Sequence, residues 1–321
     1  MIKVDIVSPV FNEELGISEF LVRVEKISLS MKSNADIRIL LVDDGSTDKT
    51  WEIINAIKLS IPLHLVKLSR NFGHQAAVWA GLESCRADAF VIVMDSDLQD
   101  PPEAIREIIQ TILTISVDVI LMRRKTRDDS YWKKFFARTF YLLQSHLTNG
   151  KIEMNVGDFF CLSPRARLAL LNHKESVKYI RGLVTQIGFN QLILDFDRAK
   201  RSHGVTHYSI KQMFTLAISG ITGFTVVPLI FVVYGALFAS LVTFCMVFYI
   251  LYLKLFSGVL LQPGWAFLSI TLLSLSTLIL LSLAIISLYL ARVTQELKAR
   301  PIYIKSKEFD TSEAEYDNRG L

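Results

Sequence analysis

Cysteine is scarce in this chain of 321 residues: Cys85, Cys161 and Cys245 are its three scattered thiols. Their spacing fits neither a zinc site nor a disulfide framework, so buried free thiols are expected. Charge of one sign is also in short supply. There are 35 Lys and Arg against 31 Asp and Glu, a net charge of +4. At this length that excess does not mark a nucleic-acid binder. No G-x-G-x-x-G follows the first strand-like run and no G-x-x-x-x-G-K-[ST] occurs, which argues against dinucleotide and P-loop chemistry. Met1-Ile2-Lys3-Val4-Asp5 leads straight into a strand pattern, so no signal peptide is expected. Disorder and collagen are excluded by 51% apolar residues and a mean hydropathy of +0.37, and the length suggests about two domains.

The apolar residues are unevenly spread. Between Lys211 and Arg292 the only charged side chain is Lys254. Thr225 to Leu253 is one uncharged run and Trp265 to Ala291 a second. A helix of either length spans about 40 Å, enough for a hydrocarbon core of ~30 Å with some tilt. Two transmembrane helices are therefore expected, 225–253 and 265–291, joined by a loop over 254–264 in which Pro263-Gly264 breaks the helix. Arg198, Lys200, Arg201 and Lys211 precede the first run; Arg292, Lys298, Arg300, Lys305 and Lys307 follow the second. Positive flanks stay inside. Residues 1–204 and the tail 292–321 are thus expected in the cytoplasm, with 254–264 outside, in a multi-pass protein of the inner (plasma) membrane. Gly235 and Ala239 are small residues that suit close helix contact, and a homo-oligomer through these helices is compatible with them. Residues 205–224 mix His207, Tyr208 and Lys211 with Met213, Phe214 and Leu216. Two readings stand for them: a helix lying along the headgroups, or the first turns of a longer membrane helix.

The polar portion alternates strand and helix. Strands are read at Val4–Val10, Ile37–Val42, Leu63–Leu68, Ala89–Met94 and Val117–Met122. Helices are read at Glu14–Met31, with Leu15, Phe20, Leu21, Val24, Ile27 and Leu29 at helical spacing, then up to Ile57, at His74–Ser84 and from Pro102 to about Ile115. Ser46 or Thr47 is the expected cap of the second helix. Apolar strands separated by helices imply a parallel α/β sheet covered on both faces, with ligands at the strands' carboxyl ends. Polar clusters follow those ends four times: Asn12-Glu13, Asp43-Asp44, Arg70-Asn71 and Asp95 to Asp100. They are expected to meet in one crevice.

Asp95 and Asp97 are two residues apart at a strand end, so both carboxylates can leave one face. Two such charges repel unless a cation lies between them, and a partial set of hard oxygen donors suits Mg²⁺ or Mn²⁺ completed by water and phosphate. The alternative is a capping pair for the helix after Pro101-Pro102. Arg123, Arg124 and Arg127 follow the fifth strand and Arg198 and Arg201 precede the first apolar run; guanidinium forks suit phosphate. Arg201 serves equally as a positive-inside anchor. Asp158, a charge among apolar neighbours, is either a satisfied structural carboxylate or part of a reacting centre.

Together these residues resemble glycosyltransferase family 2, in the branch that moves a sugar from a nucleotide onto polyprenyl phosphate and includes dolichyl-phosphate mannose synthases and bactoprenol glucosyltransferases. The matching runs are Ser8-Pro9-Val10-Phe11-Asn12-Glu13-Glu14, Val42-Asp43-Asp44-Gly45-Ser46-Thr47-Asp48, Leu68-Ser69-Arg70-Asn71-Phe72-Gly73, Asp95 through Glu103, and Gly157-Asp158-Phe159, continued by the tail from Tyr289 to Tyr303. The resemblance covers nearly the whole chain. It implies a GT-A fold, Rossmann-like with a mostly parallel sheet, ahead of a two-helix membrane hairpin. It further implies a nucleoside held by Pro9, Phe11, Glu13 and Asp44, and a Mg²⁺ or Mn²⁺ cofactor held by Asp95, Asp97 and Gln99. Ser96, Arg123, Arg127 and His207 join the substrate-binding set, and Asp97, Asp158 and Arg201 the catalytic one. Three departures from the family pattern are His207 in place of lysine, His74 in place of lysine after Asn71-Phe72-Gly73, and Phe160 in place of arginine. Neutral histidine is the weaker phosphate partner near pH 7.

The activity so implied is inverting transfer of a sugar, glucose from UDP-glucose before others such as mannose, onto undecaprenyl phosphate at the cytoplasmic face. Such a nucleophile is already largely ionised, so a strong base is not required, and Asp158 is read as aligning the acceptor. Nucleotide sugar, lipid phosphate and membrane are the expected partners, without nucleic acid. A tethered nucleotide-sugar-binding protein without turnover is the rival reading. A polymerising synthase is disfavoured, because no Gln-x-x-Arg-Trp run occurs.

Overall fold

Alternating apolar strands and amphipathic helices assemble into one large sheet. The computed structural model describes residues 1–124, 156–173, 178–197, 264–298 and 301–310, with isolated helical positions between 232 and 256. The described residues through 197, and again from 301, belong to one compact unit; those from 232 to 298 belong to a second.

In the first unit the strands are β1 (Ile2–Val10), β2 (Ala35–Asp43), β3 (Leu63–Leu68), β4 (Phe90–Val93), β5 (Val119–Arg124), β6 (Val156–Leu162), β7 (Gln191–Phe196) and β8 (Lys305–Asp310). The helices are α1 (Ile17–Ser30), α2 (Thr50–Ala56), α3 (His74–Glu83), α4 (Ala104–Thr114), α5 (Pro164–Leu171) and α6 (Ile180–Gln186). Strand order is β7-β5-β6-β4-β1-β2-β3-β8. The β1–β2, β1–β4, β2–β3 and β5–β7 pairs are parallel. Two strands run the other way: β6 lies antiparallel between β4 and β5, and β8 is antiparallel to β3 at the edge. The expectation of a parallel sheet therefore holds for its centre and is corrected at β6 and β8.

Period-two alternation distributes the strand residues to two cores. Val4, Ile6, Ile37, Ile39 and Leu41 face one side, with Phe20, Leu21 and Val24 of α1 and Ile105, Ile108 and Ile109 of α4. Val7, Leu40 and Val42 face the other, with Val78, Trp79 and Leu82 of α3 and Leu183 and Val184 of α6. Each fully buried isoleucine or leucine contributes about 1.5–3 kcal/mol. A Cβ on Gly81 would sit 2.4 Å from Val7 Cγ1, so α3 can lie this close to β1 only without a side chain there. Leu15 and Leu29, expected on the buried face of the first helix, are exposed instead. The second helix begins at Thr50 rather than after Ser46 or Thr47, because those two side chains are engaged with Asn12.

The eighth strand comes from the tail. Beside it, Asp5 of β1 is fully buried and paired with Arg38 at 2.8 Å and Arg86 at 2.8 Å, while Arg38 also reaches Asp310 at 2.7 Å.

In the second unit α7 (Trp265–Leu297) runs for 33 residues, and its large apolar side chains Phe267, Leu268, Leu272, Ile279 and Leu290 are exposed. Among the described residues no helix is long and apolar enough to cross a membrane. The expected span 265–291 falls within α7, several of whose side chains lie outside the described set, and most of 225–253 and all of 205–224 lie outside it too.

Candidate active site

Because β1, β2, β3 and β4 are parallel, their carboxyl ends share one edge, and the four polar clusters emerge there together. The first two are latched to each other. Ser46 Oγ accepts from Asn12 N at 3.0 Å, Asn12 Oδ1 accepts from Thr47 N at 2.9 Å, and Thr50 Oγ1 accepts from Glu13 N at 2.8 Å. Asn12 takes a left-handed φ of 54° to make the turn, a conformation asparagine tolerates better than most residues. These bonds fix the backbone of Glu13 and leave Phe11 exposed.

The second and third clusters meet through Asp44. Its carboxylate accepts from Phe72 N at 2.7 Å and from Gly73 N at 2.8 Å. Burial pushes this carboxyl above its ordinary range, and the two amides offset that only in part. In this structure Asp44 thus braces the loop ahead of α3. Gly45, at φ 70°, completes the joint: a Cβ there would lie 2.4 Å from the Arg70 carbonyl carbon.

The fourth cluster is a tight turn. Ser96 Oγ donates to Pro9 O at 3.1 Å, tying the end of β4 to the end of β1. Pro9, which has no N–H, sits where β4 has already ended its pairing at Val93, so the ladder loses nothing there. Asp97 Oδ1 accepts from Gln99 N at 3.1 Å, across Leu98, a buried residue held at φ 60°. A left-handed leucine is a strained conformation that surrounding structure must enforce. Here it brings Asp95, Asp97 and Gln99 onto one short turn.

Strand β6, running backwards, starts at the same edge. Its register pairs Val93 with Phe160 and the ladder with β4 ends there; Asp158 lies two residues beyond that pair, where β6 shifts register against β5. Asp158 Oδ2 accepts from Arg181 Nη2 of α6 at 2.9 Å. Burial pushes the Asp158 carboxyl up, but Arg181, His74 and Gln75 outweigh it and hold the group below the usual carboxylate range. His74 Nε2 lies 3.7 Å from Asp95 Oδ1 and 3.8 Å from Asp158 Oδ2. Arg123 on β5 pairs with Asp195 on β7 at 2.6 Å, and Arg124 lies against Gly157, where a Cβ would stand 3.2 Å from its Nη2.

Pro9, Phe11, Glu13, Asp44, Asp95, Ser96, Asp97, Gln99, Arg123 and Asp158 therefore come from strand ends or loops of one sheet edge. Arg127, Arg201 and His207 lie outside the described residues. Arg181 and Gln75 were not singled out by sequence reasoning; an arginine inside the apolar run Tyr179-Ile180-Arg181-Gly182-Leu183 was the available signal. Among the described residues no three His, Cys, Asp or Glu form a metal site by themselves. Asp95, Asp97 and the Gln99 amide fit a cation as a partial donor set, the kind Mg²⁺ or Mn²⁺ accepts when phosphate and water supply the rest.

Comparison with known proteins matches residues 5–167 to the glycosyl transferase family 2 model. An uncharacterized glycosyltransferase of Bacillus subtilis, YkcC, is 37% identical over 309 residues, covering 96% of this chain and 94% of that protein. The SfII prophage-derived bactoprenol glucosyl transferase of Shigella flexneri is 33% identical over 309 residues, covering 95% and 98%. Among solved structures, glucosyl-3-phosphoglycerate synthase of Mycobacterium tuberculosis aligns with a TM-score of 0.48 at 21% identity, over 68% of this chain and 78% of that one.

Proposed function

The chain belongs to glycosyltransferase family 2, and from that premise we propose that it transfers a sugar, glucose from UDP-glucose first, to undecaprenyl phosphate with inversion at the anomeric carbon. Its mostly parallel α/β sheet is GT-A-like. The observation that carries the proposal is the meeting of Asp95, Asp97 and Asp158 at one sheet edge beside Arg124 and Arg181. The name bactoprenol glucosyl transferase, borne by a relative aligned over nearly its whole length, supports the sugar and the lipid class.

Asp95, Asp97 and Gln99 would hold Mg²⁺ or Mn²⁺, which when bound neutralises charge on a departing diphosphate. Pro9, Phe11, Glu13 and Asp44 line the nucleoside side of the edge, with Ser96 fixing its floor. Arg123, Arg127, Arg201 and His207 are assigned to phosphate oxygens. Asp158 aligns the acceptor rather than removing a proton. A carboxylate held low by an arginine is a weak base, and the acceptor phosphate has a second pKa near 6, so it arrives largely ionised.

The membrane hairpin over 225–253 and 265–291 belongs to the same proposal, as does a cytoplasmic sheet at the inner (plasma) membrane. Strand β8 follows α7 and pairs with β3. A chain that leaves the sheet after β7 and returns at β8 must cross any intervening bilayer an even number of times. Two crossings satisfy that. The test is to supply membranes containing the chain with UDP-glucose, other nucleotide sugars and undecaprenyl phosphate. Formation of a glucosyl lipid is expected; nucleotide-sugar binding without any lipid-linked sugar would favour the tethered binding protein.

A further inference from the structure

The start of α3 places an imidazole between two carboxylates that belong to other strands. His74 is the first residue of α3, while Asp95 follows β4 and Asp158 lies in β6. Its Nε2 is nearly equidistant from both, 3.7 Å from one carboxylate and 3.8 Å from the other. That nitrogen is shut off from solvent and makes no hydrogen bond among the described residues.

Local stability does not explain the placement. A helix N-terminus favours negative side chains, not an imidazole, and the cap position itself belongs to Gly73. Nor is the ring core filling, since a third of the side chain remains exposed (37%). What fixes the backbone beneath it is the Asp44 brace on Phe72 and Gly73, together with the left-handed φ of 97° at Gly73. At Asp158, Arg181 already donates at 2.9 Å to Oδ2, the same oxygen that His74 approaches. The ring therefore faces Asp95 from a rigid support, one short movement from a hydrogen bond.

We propose that His74 is a positioning residue for the metal-binding carboxylate: its Nε2–H closes onto Asp95 and fixes the orientation in which that carboxylate meets the cation. The inference rests on reading Asp95 as a ligand in the function proposed above. Groups that hydrogen-bond a ligating side chain set its direction and basicity, and their loss typically weakens metal binding about 10–100-fold.

The full chain in detergent micelles, with UDP present, is titrated with Mn²⁺ and the free ion is read by electron paramagnetic resonance. Binding by His74→Ala is expected to weaken by about tenfold or more. His74→Gln, whose amide N–H reaches a similar place, is expected to stay close to wild type. Unaltered Mn²⁺ affinity in His74→Ala overturns the inference, and so does a His74→Gln variant as weak as His74→Ala. Thermal melting of each variant separates these outcomes from misfolding, and the His74→Gln comparison decides the matter should His74→Ala not fold. Because this readout needs no turnover, a wild type that binds Mn²⁺ but transfers no sugar would defeat the proposed function and leave the His74 comparison intact.

Discussion

Asp310 Oδ2 lies 2.7 Å from Arg38 Nη1, joining the tail that follows α7 to the second strand of the sheet. Arg38 is almost fully buried and held on its other side by Asp5. Around that contact Tyr303 donates to Glu83, His64 lies 3.0 Å from Glu308, and Lys305 reaches Ser84 at 2.9 Å. The tail is therefore part of the sheet's structure.

Asp310→Asn removes one charge partner from a buried guanidinium that retains the other. A loss of about 1–3 kcal/mol is expected, read as a lower denaturation midpoint of the full chain. An unchanged midpoint would mean that β8 docks without this pair.

Gly45→Ala introduces a Cβ 2.4 Å from backbone at a φ of 70°. Left-handed strain and overpacking add, so at least about 2 kcal/mol should be lost. The loop that Asp44 braces should loosen as well. Thermal melting checks the first effect, and weaker UDP binding the second.

Arg181→Ala tests the electrostatics of Asp158. In the folded chain this carboxyl is held below its usual range, so it stays ionised as pH falls toward the ordinary carboxylate value. Its contribution to stability is present above the unfolded value, about 3.9, and is lost as pH falls through the folded one. Without Arg181 the first-named of the groups that lower it is gone, so the folded value rises. The loss of stability on acidification should then be smaller in Arg181→Ala than in the wild type. An unchanged pH dependence of stability would mean that Arg181 does not hold this carboxyl low.

Much of this was legible in the chain because burial imposes period. The five strands read from β-branched runs appear within a few residues of their expected places, since alternate residues such as Ile39 and Leu40 must serve opposite cores. The turn Asp95-Ser96-Asp97 was legible for a similar reason: carboxylates directly after an apolar run can only emerge at a sheet edge. Long-range pairing left weaker marks. Lys305-Ser306-Lys307-Glu308-Phe309-Asp310 is mostly charged and exposed, so nothing in its composition announces a strand; charge on an edge strand guards against unwanted pairing. The backward run of β6 was equally hidden, because direction is not encoded in an apolar run. His74 acquires meaning through Asp95 and Asp158, and Arg181 through Asp158, neighbours that each meets only after folding.

The proposed transfer depends on a divalent ion that Asp95 and Asp97 would hold next to the departing diphosphate. Its most direct test is sugar transfer to undecaprenyl phosphate by membranes stripped with chelator and then resupplied with Mn²⁺, for wild type and for Asp97→Asn. Transfer by the wild type should vanish with chelation and return with the ion. Asp97→Asn should stay at least about 100-fold slower at any ion concentration, while folding as the wild type does. Transfer that survives chelation, or an Asp97→Asn variant with near-normal rate, would contradict the account.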